Sequence, residues 1–327
     1  CYAHIDGIQM LTLVFILAIF FAMNMGGASF AAAFGGPIGA NLIHRYYGRV
    51  LFLFFVTLGA VLFGDNVSTT LATDIISTEF LSVKSVVLIF FTAGLSMFIA
   101  NVMHVPQSTS LVTVASIAGV GAFYNAVNVK TILFLIPFWI ILPLASYILT
   151  YFATKIVYPP RKSNFWIYER FVNHKNKLKT FVIVTSCYNA FSVGSNNVAN
   201  VVGPLVSDNA DSLLKLLFVF AIVYGFGAFL FKGAIKTVSK RIVPLGLLTA
   251  SIISVISGTL MILASHLGIP QSFVMLQMGA VFAVSSLKEG HAVTLANPMT
   301  RKTLYTWIIN PIVTFILTYI LSFLWLR

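Results

Sequence analysis

Four short segments place uncharged polar side chains inside long apolar stretches. Two are led by glycine, Gly26-Gly27-Ala28-Ser29 and Gly194-Ser195-Asn196-Asn197, and two by proline, Pro106-Gln107-Ser108-Thr109-Ser110 and Pro270-Gln271-Ser272. Hydroxyl and carboxamide groups donate hydrogen bonds without adding charge. Glycine lets the backbone come close, and N–H groups opening a half-helix attract an anion through the helix dipole. Together the four segments could cradle a tetrahedral oxyanion. Any one alone reads more simply as a helix start with Pro in its first turn, and it is their pairing that favours a site. Direct contacts are expected first from Ser108, Thr109, Ser110, Gln271 and Ser272, with Gln107 beside them. Asn196 and Asn197 come next, with Ser29 as their partner, and Gly26, Gly27, Gly194 and Ser195 supply backbone. Asn200 suits helix packing equally well, and Gly35-Gly36-Pro37 and Gly203-Pro204 read as breaks.

Ionisable residues are where a coupling ion would act. Asp65 interrupts an apolar stretch, and an intramembrane acid is functional by default, although Gly64-Asp65-Asn66 also suits a surface turn. His104 and His266 precede the two Pro-Gln-Ser segments and could carry a proton in the physiological range. The alternative for each is a hydrogen-bonded residue at a helix end. Lys288-Glu289-Gly290-His291 reads as a solvated loop, and Lys232, Lys236, Lys240 and Arg241 as a helix end at the surface. Cys1 and Cys187 form no spacing pattern, and no HExxH, Cys-His grouping or paired carboxylates occur. An enzyme, a metal site and a cofactor are therefore not expected.

The elements that must position these residues are membrane helices. Of 327 residues 59% are apolar and 9% charged, against about a quarter charged in soluble domains, which excludes most soluble enzymes. Apolar stretches fall near 8–24, 50–63, 85–105, 111–123, 131–154, 180–193, 212–231, 243–265, 272–287 and 304–326. Residues 8–23 lack a basic stretch before them and a small-residue cleavage site after them, so they read as a resident helix rather than a signal segment. Several stretches are short or interrupted by Gly, Pro, Asn or Ser. Such segments imply re-entrant or broken helices, which survive at membrane depth only when buried in protein or lining a polar cavity. A channel would need continuous polar spans or charge rings, and Lys and Arg are largely absent from the apolar stretches. The net charge is +12, and seven of the 20 basic residues lie between Lys155 and Lys179 with only Glu169 opposing them. This clustering reads as a cytoplasmic topology signal and not as a nucleic-acid surface. It divides the chain into a first membrane unit, 1–154, a basic cytoplasmic linker, 155–179, and a second membrane unit, 180–327.

The two units repeat each other. Gly26 to Gly35 lies over Gly194 to Gly203 at an offset of 168, with Gly, Ala and Gly at matching places. Val105-Pro106-Gln107-Ser108 lies over Ile269-Pro270-Gln271-Ser272 at an offset of 164, and Trp139 and Pro143 recur as Trp307 and Pro311 at 168 again. The change of offset marks a four-residue insertion near Lys288–Asn297. One long duplication in an apolar chain points to a secondary transporter built from repeats.

On these residues the sequence resembles the PiT family of inorganic phosphate transporters over essentially its whole length. Gly194-Ser195-Asn196-Asn197-Val198-Ala199-Asn200 looks like the family's Gly-Ala-Asn-Asp-x-Ala-Asn motif, and Gly26-Gly27-Ala28-Ser29-Phe30-Ala31-Ala32 like its other copy. Pro106-Gln107-Ser108-Thr109-Ser110 and Pro270-Gln271-Ser272-Phe273-Val274 look like the family's Pro-Val-Ser-Thr-Thr pair. The resemblance implies an all-α membrane protein of two inverted-topology repeats, with broken or re-entrant helices around a midplane anion site. It also implies a homodimer in the lipid bilayer of a bacterial or archaeal inner membrane. Two departures matter. Ser29 and Asn197 stand where relatives have Asp, and Ala28 and Ala32 where they have Asn. The family's carboxylates are implied to hold the coupling cation, usually sodium, and amide or hydroxyl oxygens carry little of that charge. Phosphate near neutral pH keeps a P–OH donor part of the time and gains from a buried acceptor, whereas sulfate only accepts. The chain therefore looks more like the sulfate permease branch. The expectation is uptake of inorganic sulfate coupled to protons, with phosphate transport, sodium- or proton-coupled, as the alternative.

Overall fold

Helices that are apolar on every side gain nothing from facing water and are stable in lipid or in a protein interior. The computed structural model describes residues 2–206, 210–230 and 245–327 and is built of such helices. In chain order they are α1 (Tyr2–Gly39), α2 (Arg45–Phe63), α3 (Asp65–Thr69), α4 (Val83–Val102), α5 (Thr109–Phe123), α6 (Val129–Val157) and α7 (Phe165–Asn173). Then follow α8 (Lys175–Asn197), α9 (Ala199–Val202), α10 (Ala210–Leu230), α11 (Leu247–His266), α12 (Phe273–Glu289), α13 (His291–Ala296) and α14 (Pro298–Trp325). Seven of the described helices, α1, α2, α4, α6, α10, α11 and α14, are long and apolar enough to cross a membrane. The chain is a multi-pass membrane protein of two inverted repeats.

Helix contacts are exchanged between the repeats. Helix α1 packs on α10 and α8 on α2; α6 packs on α12 and α14 on α5. The glycines show why. A Cβ on Gly26 would fall on the carbonyl oxygen of Tyr224, and one on Gly227 on that of Met23. Equally, a Cβ on Gly194 would fall on the carbonyl of Val56, and one on Gly59 on that of Phe191. Gly26 and Gly194 are 168 residues apart, as are Gly59 and Gly227. The glycine-led segments thus serve two equivalent helix crossings that no side chain would permit.

This corrects the expectation that Gly26-Gly27 and Gly194-Ser195 open half-helices. Gly26 and Gly27 lie inside one continuous helix of 38 residues, and Gly194 and Ser195 lie inside α8. Gly35-Gly36-Pro37 does not break α1 either: Pro37 withholds a donor from the carbonyl of Ala33, and the helix runs on to Gly39. Gly203-Pro204 does interrupt the path, as a 3-10 turn after α9. Lys288-Glu289-Gly290-His291 is a corner and not a loop: α12 ends at Glu289, Gly290 takes φ 96°, and α13 starts at His291. Lys232, Lys236, Lys240 and Arg241 lie outside the described residues.

Two helical hairpins carry the Pro-Gln-Ser segments, α4–α5 and α11–α12, and their tips are built alike. At the end of α4, Met103 N–H donates to Ile99 O, His104 N–H to Asn101 O and Val105 N–H to Ala100 O. At the end of α11 the same bonds run from Leu267 to Leu263, Gly268 to Ser265 and Ile269 to Ala264. Both are left-handed C-terminal caps. The left-handed residue is His104 (φ 53°) in one tip and Gly268 (φ 67°) in the other. The repeat partner of His104 is therefore Gly268 and not His266, which is the last residue of α11. An extended Val105-Pro106-Gln107 or Ile269-Pro270-Gln271 follows, and then a serine that caps the next helix. Ser108 Oγ accepts from Leu111 N–H and Ser272 Oγ from Met275 N–H, both at 3.3 Å. Each proline thus lies two residues before the N-cap, outside the first helical turn.

Candidate functional site

The two hairpin tips meet. Trp139 Nε1 donates to Pro270 O at 2.9 Å, and Trp307 Nε1 donates to Pro106 O at 3.2 Å. Each repeat's tryptophan thus holds the other repeat's proline, which explains why Trp139 and Trp307 recur at one offset. Ser110 Oγ donates to Gln271 O at 3.0 Å, placing the first turn of α5 against the residue preceding the α12 cap. Each helix start leaves N–H groups that no carbonyl of its own helix can reach. Two positive dipole ends therefore come together here.

Around the second tip the amides form a closed network. Asn196 donates both Nδ2 hydrogens, to Ser265 Oγ at 3.0 Å and Ile269 O at 2.9 Å, and its Oδ1 accepts from Gln271 N–H at 2.9 Å. Ser195 Oγ pairs with Ser265 Oγ at 2.9 Å and also bonds back to Ser192 O. Asn200 Nδ2 donates to Ser110 Oγ at 3.1 Å. Asn196, Ser195 and Ser110 are thereby committed to protein partners, and in this arrangement they hold the tips rather than offer donors to an anion. Sequence reasoning placed Ser110 and Asn196 in direct contact and gave Ser195 a backbone role. What it lacked was their partners, Ser265 and the carbonyls of Ile269 and Gln271.

Other polar atoms are buried without a protein partner: both side-chain atoms of Gln271, Thr109 Oγ1, Gln107 Oε1, Asn197 Oδ1 and Asn200 Oδ1. Gln271 is fully buried and Thr109 is 1% exposed. An unpartnered buried polar group costs roughly 1–3 kcal/mol, so six such atoms on the predicted segments mark a place that something else must satisfy. Gln107 is held at its other end, Nε2 donating to Ser96 Oγ at 2.8 Å. Ser108 and Ser272 use their oxygens as caps and keep a proton to donate.

Ser29 and Asn197 meet through a residue that sequence reasoning missed. The Tyr224 hydroxyl lies 2.7 Å from Ser29 Oγ and accepts from Asn197 Nδ2 at 3.5 Å. Tyr224 is fully buried on α10 against α1. Its one signal in the sequence is the glycine that follows it, Gly225-Phe226-Gly227, at the crossing.

Charge is kept out of this centre. The buried polar side chains among the described residues are uncharged, Ser, Thr, Asn and Gln together with the Tyr224 hydroxyl and the Trp139 indole. Asp65 is exposed in the first turn of α3. His104 is exposed at its hairpin tip, and His266 is exposed at the end of α11, where its carbonyl accepts from Asn66 Nδ2.

The profile of the phosphate transporter family matches the chain twice, over residues 25–180 and 161–318. The chain is 30% identical over 321 residues to the sulfate permease CysP of Bacillus subtilis, covering 95% of this chain and 87% of that one. It is 21% identical over 313 residues to a putative phosphate permease of Methanocaldococcus jannaschii, covering 95% and 97%. In structure it is similar to a chain described as the sodium-dependent phosphate transporter, with a TM-score of 0.82 at 22% identity over 97% and 98% of the two chains. With the duplication matched half by half and the fold shared end to end, the chain belongs to the phosphate transporter family, whose members carry anions across membranes and are not enzymes.

Proposed function

We propose that the protein is a secondary permease that takes up inorganic sulfate into a bacterial cell in company with protons. The observation that carries this reading is the junction of the α5 and α12 starts, where the Gln271 and Thr109 side chains are buried without partners and no charged residue among the described ones is buried. Converging dipole ends and neutral donors suit a fully ionised, acceptor-only tetrahedral anion. Ser108 and Ser272 donate hydroxyl protons, and Gln107 and Asn197 reach the same ion after an amide flip, an assignment set by the partner it meets. The Gly26-Gly27 and Gly194-Ser195 backbones act at one remove, by letting α1 and α8 approach their neighbours. The similarity to a sulfate permease over nearly the full length supports the same substrate.

Moving a dianion toward a negative interior costs about 2.3 kcal/mol per charge per 100 mV, so a cation must accompany it. With no buried carboxylate among the described residues to fix sodium, protons are the proposed partner, and His104, exposed on the rim of the cavity next to Gln107, is the proposed carrier. Asp65 and His266 remain candidates on the other hairpin's side. The exposed apolar faces of α6 and α14, with Ile140 65% and Leu324 72% accessible, support contact with lipid and with a second copy in a homodimer. The basic residues of 155–179 assign that end of the molecule to the cytoplasm.

One observation favours phosphate as the second reading. Asn200 Nδ2 is fixed on Ser110, so its unpartnered Oδ1 is a true acceptor that a P–OH group would satisfy. Uptake of labelled sulfate and phosphate into proteoliposomes under imposed proton or sodium gradients separates the two. Sulfate accumulation driven by an inward proton gradient is expected, and preferential phosphate uptake stimulated by sodium would sink the proposal.

A further inference from the structure

Two cavities lead toward the candidate site, and they share three lining residues, Ala31, Ala32 and Gln277. The smaller, about 50 Å³, reaches Gln107 and His104. The larger, about 490 Å³, is lined by the end of α1, the third turn of α8 and the start of α11, with Arg45 on its wall. It lies at the end of the bundle where α7 precedes α8. At about 30 Å³ per water it holds on the order of fifteen, ample for a hydrated tetrahedral ion.

Gln277 is half-buried where the cavities adjoin, its Nε2 donating to Ala32 O at 2.5 Å. Its counterpart in the first repeat, at the 164 offset, is Thr113, which is fully buried with its hydroxyl turned onto Thr109 O. Ala28 and Ala32, opposite Gln277, are small where their counterparts Asn196 and Asn200 fill the space. Small residues thus line the open space on this side of the pseudo-symmetric centre. Arg45 stands on its wall and the neutral Gln277 amide at its neck.

We propose that the larger cavity is the linker-end passage of the transported oxyanion, and that Gln277 is the positioning residue at its neck. This rests on the reading of the protein as an oxyanion carrier. The test uses the full chain with Cys1 and Cys187 replaced by serine and Gln277→Cys added, reconstituted in proteoliposomes. A membrane-impermeant cationic methanethiosulfonate is applied from either face. Labelling is expected from the linker face, slowed severalfold by sulfate and unaffected by chloride. Protection by phosphate in place of sulfate supports the passage equally and counts against sulfate as the substrate. Labelling that neither oxyanion slows, in protein that still exchanges one of them, overturns the assignment, as does labelling from the opposite face alone. Ala32→Phe supplies an independent arm: oxyanion exchange should stop while the protein remains monodisperse, and exchange at the parental rate overturns the passage. A cysteine-free parent that exchanges neither sulfate nor phosphate overturns the carrier reading itself, and the passage with it.

Discussion

The two hairpin tips have the same backbone and opposite interiors. Both end a helix in a left-handed cap, run through an extended Pro-Gln and restart at a serine N-cap. Around the second tip, Asn196 and Asn200 knit α8 and α9 to Ile269, Gln271 and Ser110. Around the first, the counterparts are Ala28 and Ala32, with Val274 in place of Ser110, and a cavity takes the place of the network. Four side chains near Ala28 correspond to, or stand beside, the partners Asn196 uses: Asn101, Val105, Gln107 and Gln277. Two of these bond back to the motif helix, Gln277 at Ala32 and Asn101 at Asn24. Duplication supplied one frame twice, and the loss of two amides left one half locked and the other open. A transporter needs both conditions, a fixed surface to bind against and a path by which the ion leaves.

The locked half is broken most severely by Asn196→Ala. It strips partners from the buried Gln271 N–H and Ile269 O, and a loss of about 3 kcal/mol in stability is expected, with sulfate uptake abolished. Thermal unfolding of the purified protein checks this, and a variant as stable as the parent would mean that the network is ornamental. Gln271→Leu should do the reverse. Its side chain has no partner to lose, so stability should hold while sulfate affinity falls about tenfold, near 1.4 kcal/mol, in equilibrium binding. Equal affinity would move the anion elsewhere.

Smaller changes sharpen the comparison. Ser108→Ala and Ser272→Ala each remove one N-cap, and each should cost about 1 kcal/mol because the two tips share that geometry. A large difference between them would show that the resemblance of the tips does not extend to energetics. Ala28→Asn restores the missing amide beside Asn101, Val105 and Gln107. A gain below about 1 kcal/mol in stability is expected, about one net hydrogen bond, together with slower uptake as the cavity fills. Uptake at the parental rate would separate the cavity from transport.

Much of this architecture is legible along the chain because its causes are local or repetitive. Apolar runs and the recurrence of Pro106-Gln107-Ser108 at Pro270-Gln271-Ser272 report membrane helices and two hairpin starts. The N-cap role of both serines is a property of neighbouring residues, so a one-dimensional pattern carries it. Gly26-Gly27 shows where such reading stops. Glycine before a polar residue suits a helix start and a helix crossing alike, and the choice lies with Tyr224, 198 residues from Gly26. His104 and His266 look paired because each precedes a Pro-Gln-Ser segment, yet the hydrogen bonds of the caps pair His104 with Gly268.

The sequence by itself determined the medium, the duplication and the neutral chemistry of the centre, since composition, periodicity and the absence of acids at Ser29 and Asn197 need no coordinates. Only the tertiary structure decided which of those neutral groups are spent on holding the protein together and which are left over. Ser110 and Asn196 are satisfied by residues 161 and 73–75 positions away, whereas the side chains of Gln271 and Thr109 have no protein partner. A hydrogen bond is a relation between two groups in space. Residue type gives each group's capacity to bond, and the fold alone shows where that capacity remains unused.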